Sequence, residues 1–365
     1  MNCGTGSVEV GGVVELGVRN DVDTDDDVVG ADVGVFAASS PEHAARTTPA
    51  EPARKLRRVR RLLGGDMTRM LESLHDEDPP RRPMKISSDT TAVITGGGGG
   101  IGRGTALGLA ERGARLVIAD IDLATATDVA EEMSGKGAEA IAVQLDATDV
   151  ESITVAADIA ESRFGSIDIV ANNVGVVHSR ELLEATETEW SWVIELNLMS
   201  IVRSCAVFAP RIRAHGRGGH IVNTASMAGL WASKPEQVSG VQLGLYTTTK
   251  HAVLGYTETL RGELAPEGIG VSCLCPGMVD SNLMQTSMRH RPDRFGGAEE
   301  VAPSRGPNPY AMDQEDMGKF VVAGIEGNRT QILTHPGARR FVDERAATLA
   351  DDFEFFAAVE NGRDR

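Results

Sequence analysis

A run of five glycines, Gly96 to Gly100, separates an apolar, β-branched stretch (91–94) from a helix-like segment (104–112), and no other feature restricts the fold as much. Strand, glycine turn and helix are the parts of a phosphate cradle. Small residues let backbone N–H groups approach a pyrophosphate, and the helix N-terminus adds partial positive charge. A glycine run can equally be a flexible linker, and this stretch alone leaves both readings open.

The chain that follows decides between them. From residue 90 onward short apolar runs alternate with longer helical patterns, the mark of βαβ units around a parallel sheet. Strands are predicted at 92–95, 115–119, 140–145, 167–171, 220–224, 270–274 and 331–334, with helices between them, notably at 124–133, 152–164, 187–214 and 247–264. The fold class is α/β: a doubly wound, parallel seven-stranded sheet of the Rossmann type, forming one domain over 85–365. Such a sheet holds its cofactor at the carboxyl edge of the strands.

The second strand ends at Asp120, 18 residues after Gly102. A carboxylate there accepts hydrogen bonds from both adenosine ribose hydroxyls and repels the 2′-phosphate of NADP, so NAD is favoured and NADP disfavoured. Asp122, directly before Leu123-Ala124, is the better candidate for capping the next helix.

Composition narrows the partners. A hydrophobic share of 41% in 365 residues supports a large core, and an aromatic share of 4% makes it a core of Ala, Val, Leu and Ile. A net charge of -17 argues against nucleic acid or an anionic membrane as partner. Cys3, Cys205, Cys273 and Cys275 lack the spacing of a zinc site and fit reduced residues of a cytoplasmic protein. No run approaches the roughly 18 apolar residues of a membrane span, and no secretory signal is expected.

Residues 1–84 differ from the rest, with an acidic cluster (21–27), an Ala/Thr/Pro-rich stretch (39–53) and a basic run (54–61). This composition buries too little apolar surface to offset the entropy of ordering, so a disordered extension is expected. Leu56, Val59, Leu63, Met67, Met70 and Leu74 have helical spacing, although Gly64-Gly65 interrupts it. Because Met84-Lys85 directly precedes the first strand, a mis-assigned start is an equal alternative.

A set of motifs in fixed order resembles the short-chain dehydrogenase/reductase family over 90–281. Thr95-Gly96-x-x-x-Gly100-Ile101-Gly102 resembles its TGxxxGIG loop, and Asn172-Asn173-Val174-Gly175 its NNAG motif, with Val for Ala. Ile221-Val222-Asn223-Thr224-Ala225-Ser226 is similar to the strand that ends in the family's catalytic Ser, and Tyr246-Thr247-Thr248-Thr249-Lys250 to its YxxxK signature. Asn197 stands on the long helix that carries the catalytic Asn, and Asp146-Ala147 replaces the usual Asp-Val near the adenine. Pro276-Gly277-Met278-Val279-Asp280-Ser281 resembles the segment that holds the nicotinamide amide.

The resemblance implies Ser226, Tyr246, Lys250 and Asn197 as catalytic residues. It implies Thr95, Gly96, Gly100, Ile101, Gly102, Asp120, Asp146, Asn173, Val174, Gly175, Tyr246, Lys250, Pro276, Gly277, Val279 and Ser281 as cofactor contacts. Of the glycines, Gly96, Gly100 and Gly102 hold the family's fixed positions and Gly97, Gly98 and Gly99 variable ones, so substitutions at the fixed three are expected to weaken NAD binding far more than at the others.

The chemistry accounts for these residue types. A phenol with a pKa of about 10 is no base at neutral pH unless its anion is stabilised. Lys250 lies one helical turn beyond Tyr246, where its ammonium, with a positive nicotinamide, would favour the phenolate. Tyr256 and Tyr310 have no lysine four residues on. Ser226 can hold the substrate oxygen, and by resemblance Asn197 supports a water linking Lys250 to solvent. The eight histidines offer no rival metal or Ser/His constellation.

Some features depart from the family pattern. Ser226 and Tyr246 stand 20 positions apart, more than is usual, so 231–243 reads as an insertion with Pro235 and Gly240 that reshapes the pocket wall at small entropic cost. Residues 281–310 resemble a mobile substrate lid, where Met284, Met288 and Phe295 serve either a bulky apolar substrate or simple core filling. The tail at 336–360 reads as helices packed on the domain. The helices around Glu187 and Thr247 resemble those that pair subunits in the family, which implies a homodimer or homotetramer.

The expected function is an NAD-dependent oxidoreductase that interconverts a secondary alcohol and a ketone on a hydrophobic small molecule. An NADPH-dependent ketoreductase and a non-catalytic dinucleotide sensor stay open as alternatives.

Overall fold

The computed structural model describes residues 83–232, 241–300, 311–360 and Gly362. The expectations for 1–82, for most of the insertion and for the far end of the lid fall outside these residues.

Seven strands form one parallel sheet in the order β3-β2-β1-β4-β5-β6-β7. They are β1 (Thr91–Thr95), β2 (Arg115–Asp120), β3 (Ala140–Gln144), β4 (Ile169–Asn172), β5 (Gly219–Thr224), β6 (Ile269–Cys275) and β7 (Gln331–Leu333). Every predicted strand is present, with ends displaced by two residues at most. The central strands are near-continuous apolar runs because helices cover both faces. Val93, Val117, Val170, Ile221 and Val271 face one buried cluster, while Ile94, Ile118, Ile169, Val222 and Leu274 face the other. Strand order reverses between β1 and β4, which opens a crevice beyond their carboxyl ends.

The helices are α1 (Gly100–Glu111), α2 (Leu123–Gly135), α3 (Val150–Phe164), α4 (Glu187–Ile194), α5 (Ser200–Ala214), α6 (Gly244–Leu264), α7 (Leu283–Arg289), α8 (Gln314–Glu326) and α9 (Arg339–Glu360). Asp122 caps α2 by accepting from the Ala124 and Thr125 amides, as the sequence suggested. The predicted helix 187–214 is continuous, but a π-helical segment, Glu195–Met199, joins α4 to α5 and carries Asn197. By length and composition this helix could cross a membrane, with a best window of mean hydropathy 1.4, although the sequence reading expected no such element. Half of that window is buried within the domain, where Trp192, Val193, Ile201 and Phe208 are packed away from solvent.

Helix α8 is the element that sequence reading passed over. It meets α1 at backbone contact, since a Cβ on Gly104 would run into the Gln314 carbonyl and one on Gly318 into the Gly104 carbonyl. The segment before α8 returns to the end of β6: Val279 and Met312 form a parallel bridge, with Asp280 N–H donating to Met312 O at 2.9 Å and Met312 N–H to Met278 O at 2.9 Å. Gln314 adds a side-chain bond to Asp280 O at 2.9 Å. The two ends of the lid segment are thereby fastened together.

The expected packing of the tail is seen at the start of α9. Phe341 stacks on Trp231 with ring centroids 5.0 Å apart, and Arg345 donates to Leu230 O at 2.9 Å. Further along, Leu349, Phe353 and Phe356 are exposed, which departs from a helix laid flat on the domain.

Candidate active site

A cavity of about 560 Å³ lies along the carboxyl edge of the sheet, lined at one end by the glycine loop and Asp120 and at the other by Tyr246, Lys250 and the first turns after β6. The loop is held by its own backbone. Gly97 N–H donates to Ala119 O at 3.0 Å, Gly98 N–H donates to Asp120 Oδ2 at 2.9 Å, and Gly96 and Gly100 adopt φ values of 63° and 52°. Such left-handed backbone favours glycine. Gly102 serves by absence: any Cβ there would run into Gly96 O. The glycines at the variable positions differ in clearance. A Cβ on Gly97 would sit 2.8 Å from the Ile118 side chain, and one on Gly98 would meet Thr125 and come within 3.0 Å of Asp120. Gly99 has open space around it.

Asp120 is pinned at the end of β2, because its other oxygen accepts from the Asp122 amide at 3.1 Å. Asp146 organises the turn after β3, accepting from both the amide and the hydroxyl of Thr148 at 2.8 Å. Asn173 joins β4 to the loop through a 3.1 Å bond to Gly96 O, and its amide lies 3.3 Å from the Thr95 hydroxyl. Val174, Gly175, Ile101, Pro276 and Ser281 also line the cavity.

Other expected residues stand behind the wall. Thr95 is spent on Asn173, Gly277 lies against the His335 ring, and Val279 is drawn to the core side by its bridge to Met312. Asn197 is buried, with its carboxamide fully engaged: Oδ1 accepts from the Val176 amide at 2.7 Å, while Nδ2 donates to Val176 O and to the Thr249 hydroxyl at 3.0 Å. Among the described residues it makes no hydrogen bond to Lys250, although a Cβ on Gly175 would lie 3.1 Å from Asn197 Oδ1 and 3.3 Å from Lys250 Nζ.

Ser226, Tyr246 and Lys250 converge beside the ends of β5 and β6. Ser226 follows β5 and turns its Oγ toward Pro276 O at 3.4 Å. Tyr246 lies in the first turn of α6, and Lys250, one turn on, is buried with Nζ donating to Thr224 O at 2.8 Å and 5.5 Å from the Tyr246 ring centroid. Burial pushes the Tyr246 phenol above its ordinary value, against a lowering hydrogen bond from Ser226. Burial also lowers the Lys250 ammonium to about 8. The expectation that Lys250 favours the phenolate is therefore offset in the chain alone: desolvation holds Tyr246 in its neutral form.

Sequence reading missed the far wall. Trp192 of α4, Leu196 and the lid residues Ser287, Arg289 and His290 line it. Helix α7 is docked there, with the Val177 amide donating to Ser287 Oγ at 3.0 Å and Met288 buried against Val176 and Trp192. Of the two roles open to lid methionines, Met288 takes core filling.

A family model described as short chain dehydrogenase matches residues 90–292. The chain belongs to the short-chain dehydrogenase family. Several of its relatives are named as dehydrogenases or oxidoreductases. It is 36% identical over 250 residues to 1-deoxy-11-beta-hydroxypentalenate dehydrogenase of Streptomyces exfoliatus, covering 68% of this chain and 84% of that one. A probable oxidoreductase, EphD, of Mycobacterium tuberculosis is 38% identical over 211 residues, or 58% of this chain, and the match spans only 34% of that longer relative. A crystal structure of a short chain dehydrogenase/reductase from Burkholderia phymatum in complex with NAD superposes with a TM-score of 0.64 at 30% identity, covering 77% of this chain and 97% of that one.

Proposed function

We propose that this short-chain dehydrogenase uses NAD to interconvert a secondary alcohol and a ketone on a largely apolar small molecule. The observation that carries the reading is the convergence of Ser226, Tyr246 and Lys250 at the end of the cavity opposite Asp120.

The residues present suit a dinucleotide. Helix α1 begins with neither a side-chain cap nor an acidic residue in its first turn, which leaves its leading N–H groups for phosphate oxygens. Asp120 retains acceptor capacity for ribose hydroxyls, and Asn173 Oδ1 is buried with no partner among the described residues. When bound, the dinucleotide supplies the hydride acceptor or donor. Ser226 Oγ holds the substrate oxygen, and Tyr246 Oη takes its proton in oxidation or gives one in reduction. Lys250 sets the field around the phenol, and Asn197 holds the Val176 turn that borders both. Trp192, Leu196 and Val176 supply an apolar wall for the substrate. The fold and composition suit a cytoplasmic enzyme that pairs through α4–α5 and α6, as the family resemblance implies.

Two experiments test this in the intact chain. Asp120→Asn can still accept from the Gly98 amide through its one carbonyl oxygen, gives up the bond from the Asp122 amide, and removes the charge that repels a 2′-phosphate. The ratio of kcat/KM with NADP to that with NAD rises by about tenfold, equivalent to about 1.4 kcal/mol. A wild-type preference for NADP, unchanged in Asp120→Asn, would instead support the ketoreductase reading.

The second experiment follows the stability linkage of Lys250. Its folded pKa is depressed from 10.5 to about 8, so the folded chain binds fewer protons than the unfolded one between those values. Stability from this group rises with pH across that window. The urea midpoint of the wild type gains on that of Lys250→Met as pH climbs from about 8 to 10.5; a constant difference would show that the ammonium is not desolvated.

A further inference from the structure

Helix α9 presents an apolar stripe to solvent. Val342, Ala346, Leu349, Phe353 and Phe356 recur at alternating steps of four and three, the spacing of a coiled-coil seam. Leu349, Phe353 and Phe356 are 49%, 77% and 66% exposed, too much apolar surface on one helix to be scattered exposure. The opposite face carries Arg340, Asp343, Glu344, Asp351 and Glu354, so the helix is amphipathic with its apolar side uncovered.

We infer that this stripe pairs antiparallel with the same helix of a second copy of the chain, forming a subunit interface separate from α4–α5 and α6. Charge selects both the partner and the direction. Arg345 and Asp352 flank the stripe one heptad apart, a basic and an acidic residue that only antiparallel self-pairing brings together. With Ala346 against the partner's Leu349, Val342 meets the partner's Phe353, a small residue facing a large one in each layer. In the same register Arg345, which flanks the seam, comes to the partner's Asp352, and the two-fold axis makes that pair twice.

A parallel pair would instead place Arg345 and Asp352 beside the partner's Ala350 and Ala357, with no opposite charges across the seam. The N-terminal end of α9 is anchored on the domain by the Phe341–Trp231 stack and the Arg345–Leu230 bond, so the stripe is held out at a fixed angle. No residue of the stripe lines the cavity.

Light scattering on the full chain across protein concentrations tests the proposal. The wild type associates, and Phe353→Glu lowers the particle mass by a factor of two while kcat/KM stays within about twofold of wild type. Phe353 is largely exposed, so the variant folds normally. Asp352→Arg, which leaves the Arg345 anchor in place, sets like charges against the partner's Arg345 and weakens association, whereas Asp352→Glu retains it, a contrast that only the antiparallel arrangement gives. A wild type that remains monomeric, an unchanged mass in Phe353→Glu, as would follow if another segment or protein covers the stripe, or an Asp352→Arg variant that associates as the wild type does would each overturn the proposal.

Discussion

Replacing Tyr246 by Phe lowers kcat by about a thousandfold, the middle of the range for loss of a positioned general acid–base group, and leaves the dissociation constant for NAD at its wild-type value. The expectation follows from what the change removes. The ring stays half-buried in the first turn of α6 and only Oη is lost, so the wall of the cavity keeps its shape. In the proposed reading, dinucleotide binding draws mainly on the glycine loop, Asp120 and Asn173 at the other end. Fluorescence titration with NADH and single-turnover kinetics separate the two effects. Turnover at the wild-type rate would remove Tyr246 from the chemistry, and loss of binding would make its role structural.

The second large effect concerns the loop. Gly102→Ala places a methyl group into the Gly96 carbonyl, which is backbone and cannot rotate aside. Overpacking of this kind costs about 1–3 kcal/mol or more, and the loop must shift away from the position that presents its N–H groups. Affinity for NAD falls by about tenfold or more, with a lower melting temperature in the absence of ligand. Gly99→Ala, which meets nothing within 4 Å, leaves both quantities near wild type. Calorimetric titration of the two variants side by side checks the contrast, and equal losses would mean that the loop's rigidity, not its clearance, is what matters.

These two predictions mark where the sequence was informative and where it was not. Tyr246, Lys250 and Ser226 were readable because their residue types suit proton transfer and their chain order matches the family's motifs, and the folded chain brings them together. The strands were readable because a parallel sheet covered on both faces demands apolar runs, and the Val-Ile-Leu stretches of β1, β2, β4 and β6 supply them. The crowding at Gly97 and Gly98 was not legible because the space around them is set by Ile118 of β2 and Thr125 of α2, contacts that no local motif encodes.

Helix α8 escaped notice for a related reason. Gly318 and Gly324 interrupt its apolar pattern of Met317, Val321, Val322 and Ile325, and the benefit of Gly318 appears only when α1 is seen lying against it. The π-helical segment at Asn197 has no sequence signature at all, and Arg289 and His290 reach the cavity only because Ser287 and Met288 dock α7 on the Trp192 wall.

The fastening of Val279 to Met312 has a consequence for how such an enzyme diversifies. The stretch between them starts and finishes at one point of the framework, so it behaves as an exchangeable cassette. Doubling the length of a flexible loop closed at both ends costs only about 0.6 kcal/mol. Insertions, deletions or wholesale grafts in that interval can therefore alter which small molecules enter while Asp120, Tyr246 and Lys250 keep their places. Substrate range and nucleotide choice become separately heritable traits, carried by different parts of one chain.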